Sequence, residues 1–190
     1  MKNKKHPMGQ YIISEVGDTE DSYEYVQALL PLIGEVIIFF NSLESDLDHI
    51  ICQIISDRTD RMGLQVLHSM LYATKVDLYD RFRCEEIRAF GWDSDIPVFK
   101  KVVSSLRHCG TLRNRVVHAN WQYTNNEGYT HVRFKMGNKG LEHEFVQYTV
   151  ESLKQIIEEI TQVGFAIEEF EEKFEERMHS KYTNPIKQSL

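Results

Sequence analysis

Cysteine is scarce in this chain of 190 residues: there are three, Cys52, Cys84 and Cys109, far apart and with no Cys-x-x-Cys. An odd and scattered set argues against a disulfide framework and reads as reduced, mostly buried thiols of a cytosolic protein. Long hydrophobic runs are lacking as well. The most apolar stretch, residues 28–40, is interrupted by Pro31, Gly34 and Glu35. It falls short of the roughly 20 apolar residues that a membrane span needs. Lys2, Lys4 and Lys5 have no apolar run behind them, which argues against a secretory signal. The sequence therefore predicts a soluble, cytoplasmic protein with no membrane partner. There is no Gly-rich phosphate loop and no Gly-x-Ser-x-Gly elbow, and no internal repeat, low-complexity tract or linker.

What is present is an ordinary globular composition, 42% apolar and 27% charged. A single domain of this length buries roughly 70% of the surface of its unfolded chain and requires no metal or disulfide staple. The net charge of −7 at first argues against a nucleic-acid partner. Its distribution reverses that reading. Residues 149–178 hold nine acids against three bases, so that segment alone carries −6. Residues 99–126 hold no Asp or Glu, but do hold Lys100, Lys101, Arg107, Arg113 and Arg115.

In chain order, residues 1–18 are polar and read as a loosely held arm, with one helical domain over 19–180 and a frayed tail over 181–190. Helices are expected over about 19–30, 32–56, 60–90, 96–119 and 149–179. Pro31 fits the first turn of the second, and residues 91–95 break the chain before Pro97. His68 and Lys75 sit beside the apolar face of the third, where His68 reads as a hydrogen-bonded structural residue. Between the last two helices the period changes to two. Residues 121–124 and 129–136 flank Asn125-Asn126-Glu127-Gly128 as a hairpin, with Thr130, Val132, Phe134 and Met136 on one face and a third strand at 142–148. The expected fold class is all-α, a bundle of about five helices with a small β-hairpin or meander at about 121–148, before the last helix.

Two helices each interrupt an apolar seam with a single charge. In the second, Ile33, Ile37, Phe40, Glu44, Leu47, Ile51 and Ile54 alternate four and three apart, widened by Val36, Leu43 and Ile50. In the fourth, Phe99, Val103, Leu106, Gly110, Arg113 and Val117 do the same. A buried carboxylate is costly unless it is paired. Glu44 therefore lies either at a seam edge reaching water or against a buried cation, for which Arg113 is the candidate. Gly110 costs about 1 kcal/mol in a helix interior relative to Ala, and suits a close approach of backbone or ligand.

The stretch Arg113-Asn114-Arg115-Val116-Val117-His118 carries the chemistry. Arg113 and His118 are five apart, about 140° around a helix, whereas Asn114 and His118 share a face. A guanidinium grips phosphate oxygens bidentately. A histidine, with a reference pKa of about 6.5, moves protons at neutral pH. A site using both is readily completed by the same helix of a second subunit about a twofold axis.

Arg-Asn-x-x-x-His near the end of a helix resembles the active-site motif of the HEPN family, small helical domains that are often ribonucleases. The resemblance implies a bundle of four or more helices that dimerises with the two motifs facing one another. It implies catalytic roles for Arg113 and His118, with supporting roles for Asn114, directly after the Arg, and for Glu44 on an earlier helix. Lys101, Arg107 and Arg115 would be flanking phosphate contacts. Catalytic members of the family act without metal or other cofactor: the RNA 2′-hydroxyl attacks the adjacent phosphate and leaves a 2′,3′-cyclic phosphate. Small members act as toxins or in phage defence, which implies an RNA substrate and a homodimer, and leaves room for an antitoxin or other protein partner. One branch of the family has a tyrosine, two residues after the His, that a nucleotidyltransferase antitoxin modifies. Here that position is Asn120, and Tyr123 lies further on, so the sequence departs from that mode of control.

Two other readings stand beside this one. A non-catalytic helical interaction module would use Arg113 and Glu44 as a structural pair, with His118 only capping or packing. A zinc site built from His131, His143 and a cysteine lacks any ligand-spacing signature.

Overall fold

A computed structural model describes residues 1–7, 20–55, 59, 61–125, 127–138 and 140–183. Among these are five α-helices and one four-stranded antiparallel sheet. The chain divides into two compact units, one formed by residues 1–42 and 108–160, the other by 43–107 and 161–190.

The first unit holds the sheet. Its strands are β1 (Asn3–Pro7), β2 (Asn120–Thr124), β3 (Tyr129–Gly137) and β4 (Gly140–Gln147), in the order β1-β4-β3-β2. The meander expected before the last helix is present, and the supposed N-terminal arm adds a fourth strand to it. Asn3 pairs with Val146 and Pro7 with Glu142. β1 has no apolar alternation to betray it, because an edge strand is held by main-chain pairing and gains from lysines that discourage further pairing. Residues 8–18 of that arm lie outside the described residues. The four residues expected on one face of β3 are divided by an irregularity in register between His131 and Arg133. Thr130 opposes Val146, while Phe134 and Met136 share the other face with His131.

The β2–β3 turn is built by Asn125, whose Oδ1 accepts from the backbone N–H of Glu127 at 3.1 Å and of Tyr129 at 2.9 Å. Gly128 there has φ +81°, and a Cβ on it would lie 2.6 Å from the Tyr148 carbonyl oxygen. The Tyr25 hydroxyl donates to that same carbonyl. The core of this unit is Leu29, Val36 and Phe40 with Leu112, Val116, Val146, Tyr148 and Leu153.

α1 (Glu20–Ile54) supplies residues to both units. It is one helix, not two, and Pro31 lies inside it, exposed, while Leu29 and Val36 to either side are buried. Packing of the apolar face overrides the local penalty of the proline. By length and composition 23–54 could cross a membrane, with a mean hydropathy of 1.7 in its most apolar window. Its residues Leu29, Val36, Phe40, Leu43, Leu47 and Ile51 are buried in the protein, while Leu30, Ile38 and Phe39 are exposed.

In the second unit, the helix expected over 60–90 is two: α2 (Arg61–Leu67) and α3 (Tyr72–Ala89). Leu71, extended and exposed, caps the second of them. The apolar residues buried on α3 are Val76, Tyr79, Cys84 and Ile87, and His68 is exposed. α4 (Ile96–Val117) follows a 3-10 turn at Asp93–Asp95. α5 (Val150–Thr183) runs past the point where a frayed tail was expected, and residues 184–190 lie outside the described ones. Buried Glu171 accepts hydrogen bonds from the Tyr79 hydroxyl at 2.5 Å and from Arg83 Nε at 3.2 Å. The Arg83 guanidinium also lies 4.2 Å from the Phe174 ring centre. That charge is therefore fully partnered in the core.

Gly128 yields a test. Gly128→Ala combines a left-handed backbone with a side chain that meets Tyr25 and the Tyr148 carbonyl. It is expected to cost at least about 2 kcal/mol, read as a lower urea midpoint with an unchanged slope.

Candidate functional site

The Arg-Asn-x-x-x-His motif occupies the C-terminal end of α4, within the first unit. The last turns of the helix bury Cys109, Leu112 and Val116, while Arg113 and Val117 are half-buried. The true core positions at this end are thus one residue away from the seam read in the sequence, and Arg113 sits at its edge. The Arg113 guanidinium lies 5.3 Å from the Phe40 ring centre and donates to Asn114 Oδ1 at 3.0 Å. Its Nε is buried without a hydrogen-bond partner among the described residues.

His118 lies just beyond the helix, exposed, and its backbone N–H still donates to the Asn114 carbonyl at 3.0 Å. The helix is ended by Trp121. Its indole N–H donates to the Val116 carbonyl at 3.0 Å, and its ring lies 5.0 Å from that of Tyr148. One of the four carbonyls that a helix end leaves unpaired is satisfied in this way.

Arg115 is half-buried and acts electrostatically on two residues the sequence reading did not single out, Glu144 and Tyr148. Its Nε and the Tyr148 hydroxyl are both buried without hydrogen-bond partners among the described residues. Burial disfavours the Glu144 carboxylate. The hydrogen bond from Arg133 Nε, 2.6 Å, with the charges of Arg133 and Arg115, outweighs this and holds its pKa below the ordinary 4.5. Burial likewise pushes the Tyr148 hydroxyl upward, against the opposing charge of Arg115. No sequence signal placed Glu144 or Tyr148 beside the motif, because that proximity depends on strand register.

Of the other expected site residues, Glu44, Lys101 and Arg107 belong to the second unit, where Glu44 and Arg107 are otherwise engaged. The cation that meets Glu44 is Lys75 on α3, at 2.8 Å, and not Arg113. Lys75 is 5% exposed and also meets Asp48 at 2.7 Å. Two carboxylates one helical turn apart on α1 thus share a single long ammonium. Burial disfavours that ammonium, but its bonds to Asp48 and Glu44 prevail and raise its pKa. Arg107 is bonded to Asp77 at 2.9 Å and Asp80 at 3.2 Å, so its charge is already compensated. Lys101 is exposed.

His131 and His143 come together, Nε2 to Nδ1, at 3.3 Å on β3 and β4. Burial lowers both pKa values, assisted at His131 by His143 and at His143 by His6. No group of three or more His, Cys, Asp or Glu among the described residues is arranged to hold a metal ion. No family model, no curated protein and no solved structure matches this chain.

Two tests follow from these pairings. Lys75→Ala leaves two carboxylates without their buried cation and is expected to cost about 3–5 kcal/mol. Glu44→Ala leaves Asp48 in place and is expected to cost about 1 kcal/mol; equal losses on urea unfolding would contradict a shared cation. Glu144 has a lowered folded pKa, so its stabilisation is present above 4.5 and is lost as pH falls through that lowered value. The stability deficit of Glu144→Gln, measured at neutral pH, should therefore shrink on acidification below 4.5.

Proposed function

We propose that this protein is a metal-independent endoribonuclease of the HEPN type, cytoplasmic and homodimeric, acting as a toxin or in phage defence. The observation that carries the reading is the placement of His118: exposed, at the end of α4, on the same helix end as a guanidinium that no carboxylate among the described residues neutralises. A structural Arg113–Glu44 pair, on which the alternative of a non-catalytic interaction module was built, is replaced by Glu44–Lys75.

In this reading Arg113 holds two non-bridging oxygens of the scissile phosphate. His118 moves the proton: the 2′-oxygen loses its proton as it bonds to phosphorus, and the departing 5′-oxygen gains one as its bond to phosphorus breaks. Asn114, bonded to Arg113, fixes the plane of the guanidinium. Arg115 adds positive potential at the same helix end. The same end of α4 from a second protomer completes the groove about a twofold axis.

Purified protein incubated with total RNA should cleave it, and His118→Ala should lose a factor of about 10²–10⁴ in rate. Arg113→Lys should be similarly impaired, since an ammonium cannot reproduce a bidentate contact. Sedimentation should give a dimer. Cleavage that persists undiminished in His118→Ala would refute the assignment, and an active monomer would refute the composite groove.

A further inference from the structure

The sheet of the first unit has two unlike faces. On one, Arg133 opposes Glu144, Lys135 opposes Glu142 and Thr130 opposes Val146, so that charges of both signs are matched. The other carries Lys4 and His6 of β1, His131 and Phe134 of β3, and His143 and Phe145 of β4. None of the strand residues that register places on this face is acidic. Glu127 in the turn meets Lys4 at 3.2 Å with both side chains exposed, a contact of little net strength in water, and the Lys4 ammonium also lies 3.7 Å from the Tyr129 ring centre.

The rings form a continuous layer. Phe134 lies 5.1 Å from His131 and 4.6 Å from His143, centre to centre, and His6 lies 5.7 Å from Phe145. His143 and Phe145 are buried within this layer, whereas Phe134 is 52% exposed at its open end. Met136 and Leu141, opposite one another on the same face, are exposed beside it. Phe134, an exposed ring on a face that carries Lys4 and His6 and has no acid among its described strand residues, is complementary to a strand that alternates flat bases with phosphates.

The sheet is also tied to the motif. β2 begins at Asn120, two residues after His118, and Asn120 pairs with His131. At about 3.5 Å per residue along the chain and about 5 Å across a strand pair, the His131 backbone lies within about 12 Å of that of His118.

We propose that this face of the sheet is a binding platform for single-stranded RNA, with Phe134 stacking on a base and Lys4 and His6 contacting phosphates. The proposal rests on the ribonuclease reading for its choice of ligand, and it gives that reading a substrate class: unpaired RNA, whose bases are free to stack. A duplex hides its base faces, and the bases and aromatic rings of the platform would then have only phosphates to meet.

The test uses the full chain carrying His118→Ala, so that RNA is not consumed, and a fluorescein-labelled single-stranded RNA of mixed sequence followed by anisotropy. Phe134→Ala is expected to weaken binding at least about fivefold, Phe134→Leu by as much, and Phe134→Trp not at all. Lys4→Ala should lower the slope of log affinity against log salt by about 0.7. The exposure of Phe134 lets these variants fold, which their melting curves verify. RNA affinity unchanged in Phe134→Ala overturns the platform. So does full affinity in Phe134→Leu, the outcome for a protein docking surface. Loss of binding to phosphatidylserine vesicles, with RNA affinity intact, also overturns it. The two readings fail separately. If wild-type protein cuts no RNA but binding depends on the Phe134 ring, the ribonuclease falls and the platform stands. If wild-type cuts RNA and Phe134→Ala binds as its parent does, only the platform falls.

Discussion

The bond from the Trp121 indole to the Val116 carbonyl, 3.0 Å, is the point on which the first unit turns. A helix that ends in its own unpaired carbonyls needs donors, and here the donor is the first large side chain of the strand that follows. The same ring lies against fully buried Tyr148. Helix end, edge strand and core are thereby joined at one residue. The chain passes from α4 to β2 within a few residues, and that short passage leaves His118 outside while Val116 and Ala119 remain buried. Arg115, in the last turn, also places its positive charge at the negative end of the helix dipole.

Charges in apolar surroundings are resolved in three different ways, and the differences matter for function. Lys75 is held between two carboxylates, and Arg83 by the buried Glu171. Both are neutralised and read as structural. Arg113 meets a neutral amide and the face of Phe40. A cation over an aromatic ring is stabilised yet keeps its formal charge and most of its N–H donors for an anion. Among these three buried or half-buried cations, Arg113 is the one that meets no carboxylate among the described residues.

Much of this was legible in the sequence, and the failures have physical causes. The four-three spacing of apolar residues located α4 and the larger part of α1, and the change of period after Trp121 located the meander. The seam in α4 was read one position off near its end, because Val116 and Val117 are equally apolar and only packing distinguishes them. Pro31 suggested a break that burial on either side of it overrode. One helix was expected over 60–90 where the chain is extended at Leu71. β1 left no trace, since main-chain pairing carries no side-chain pattern. Glu44 was left between a seam edge reaching water and a buried cation; it meets the cation Lys75 while staying part-exposed, and the choice among cations depended on how the helices pack, which no single helix reveals. Register between β3 and β4 brought His131 to His143 and Glu144 toward Arg115, and an irregularity in that register is invisible to alternation alone.

The central claim is chemical: that Arg113 and His118 promote attack by the RNA's own 2′-hydroxyl without a metal. End-group analysis of RNA incubated with purified protein in EDTA addresses it directly. The account predicts fragments that end in 2′,3′-cyclic phosphate and begin with a 5′-hydroxyl. Fragments with 3′-hydroxyl and 5′-phosphate ends, or cleavage that stops when divalent ions are chelated, would contradict it.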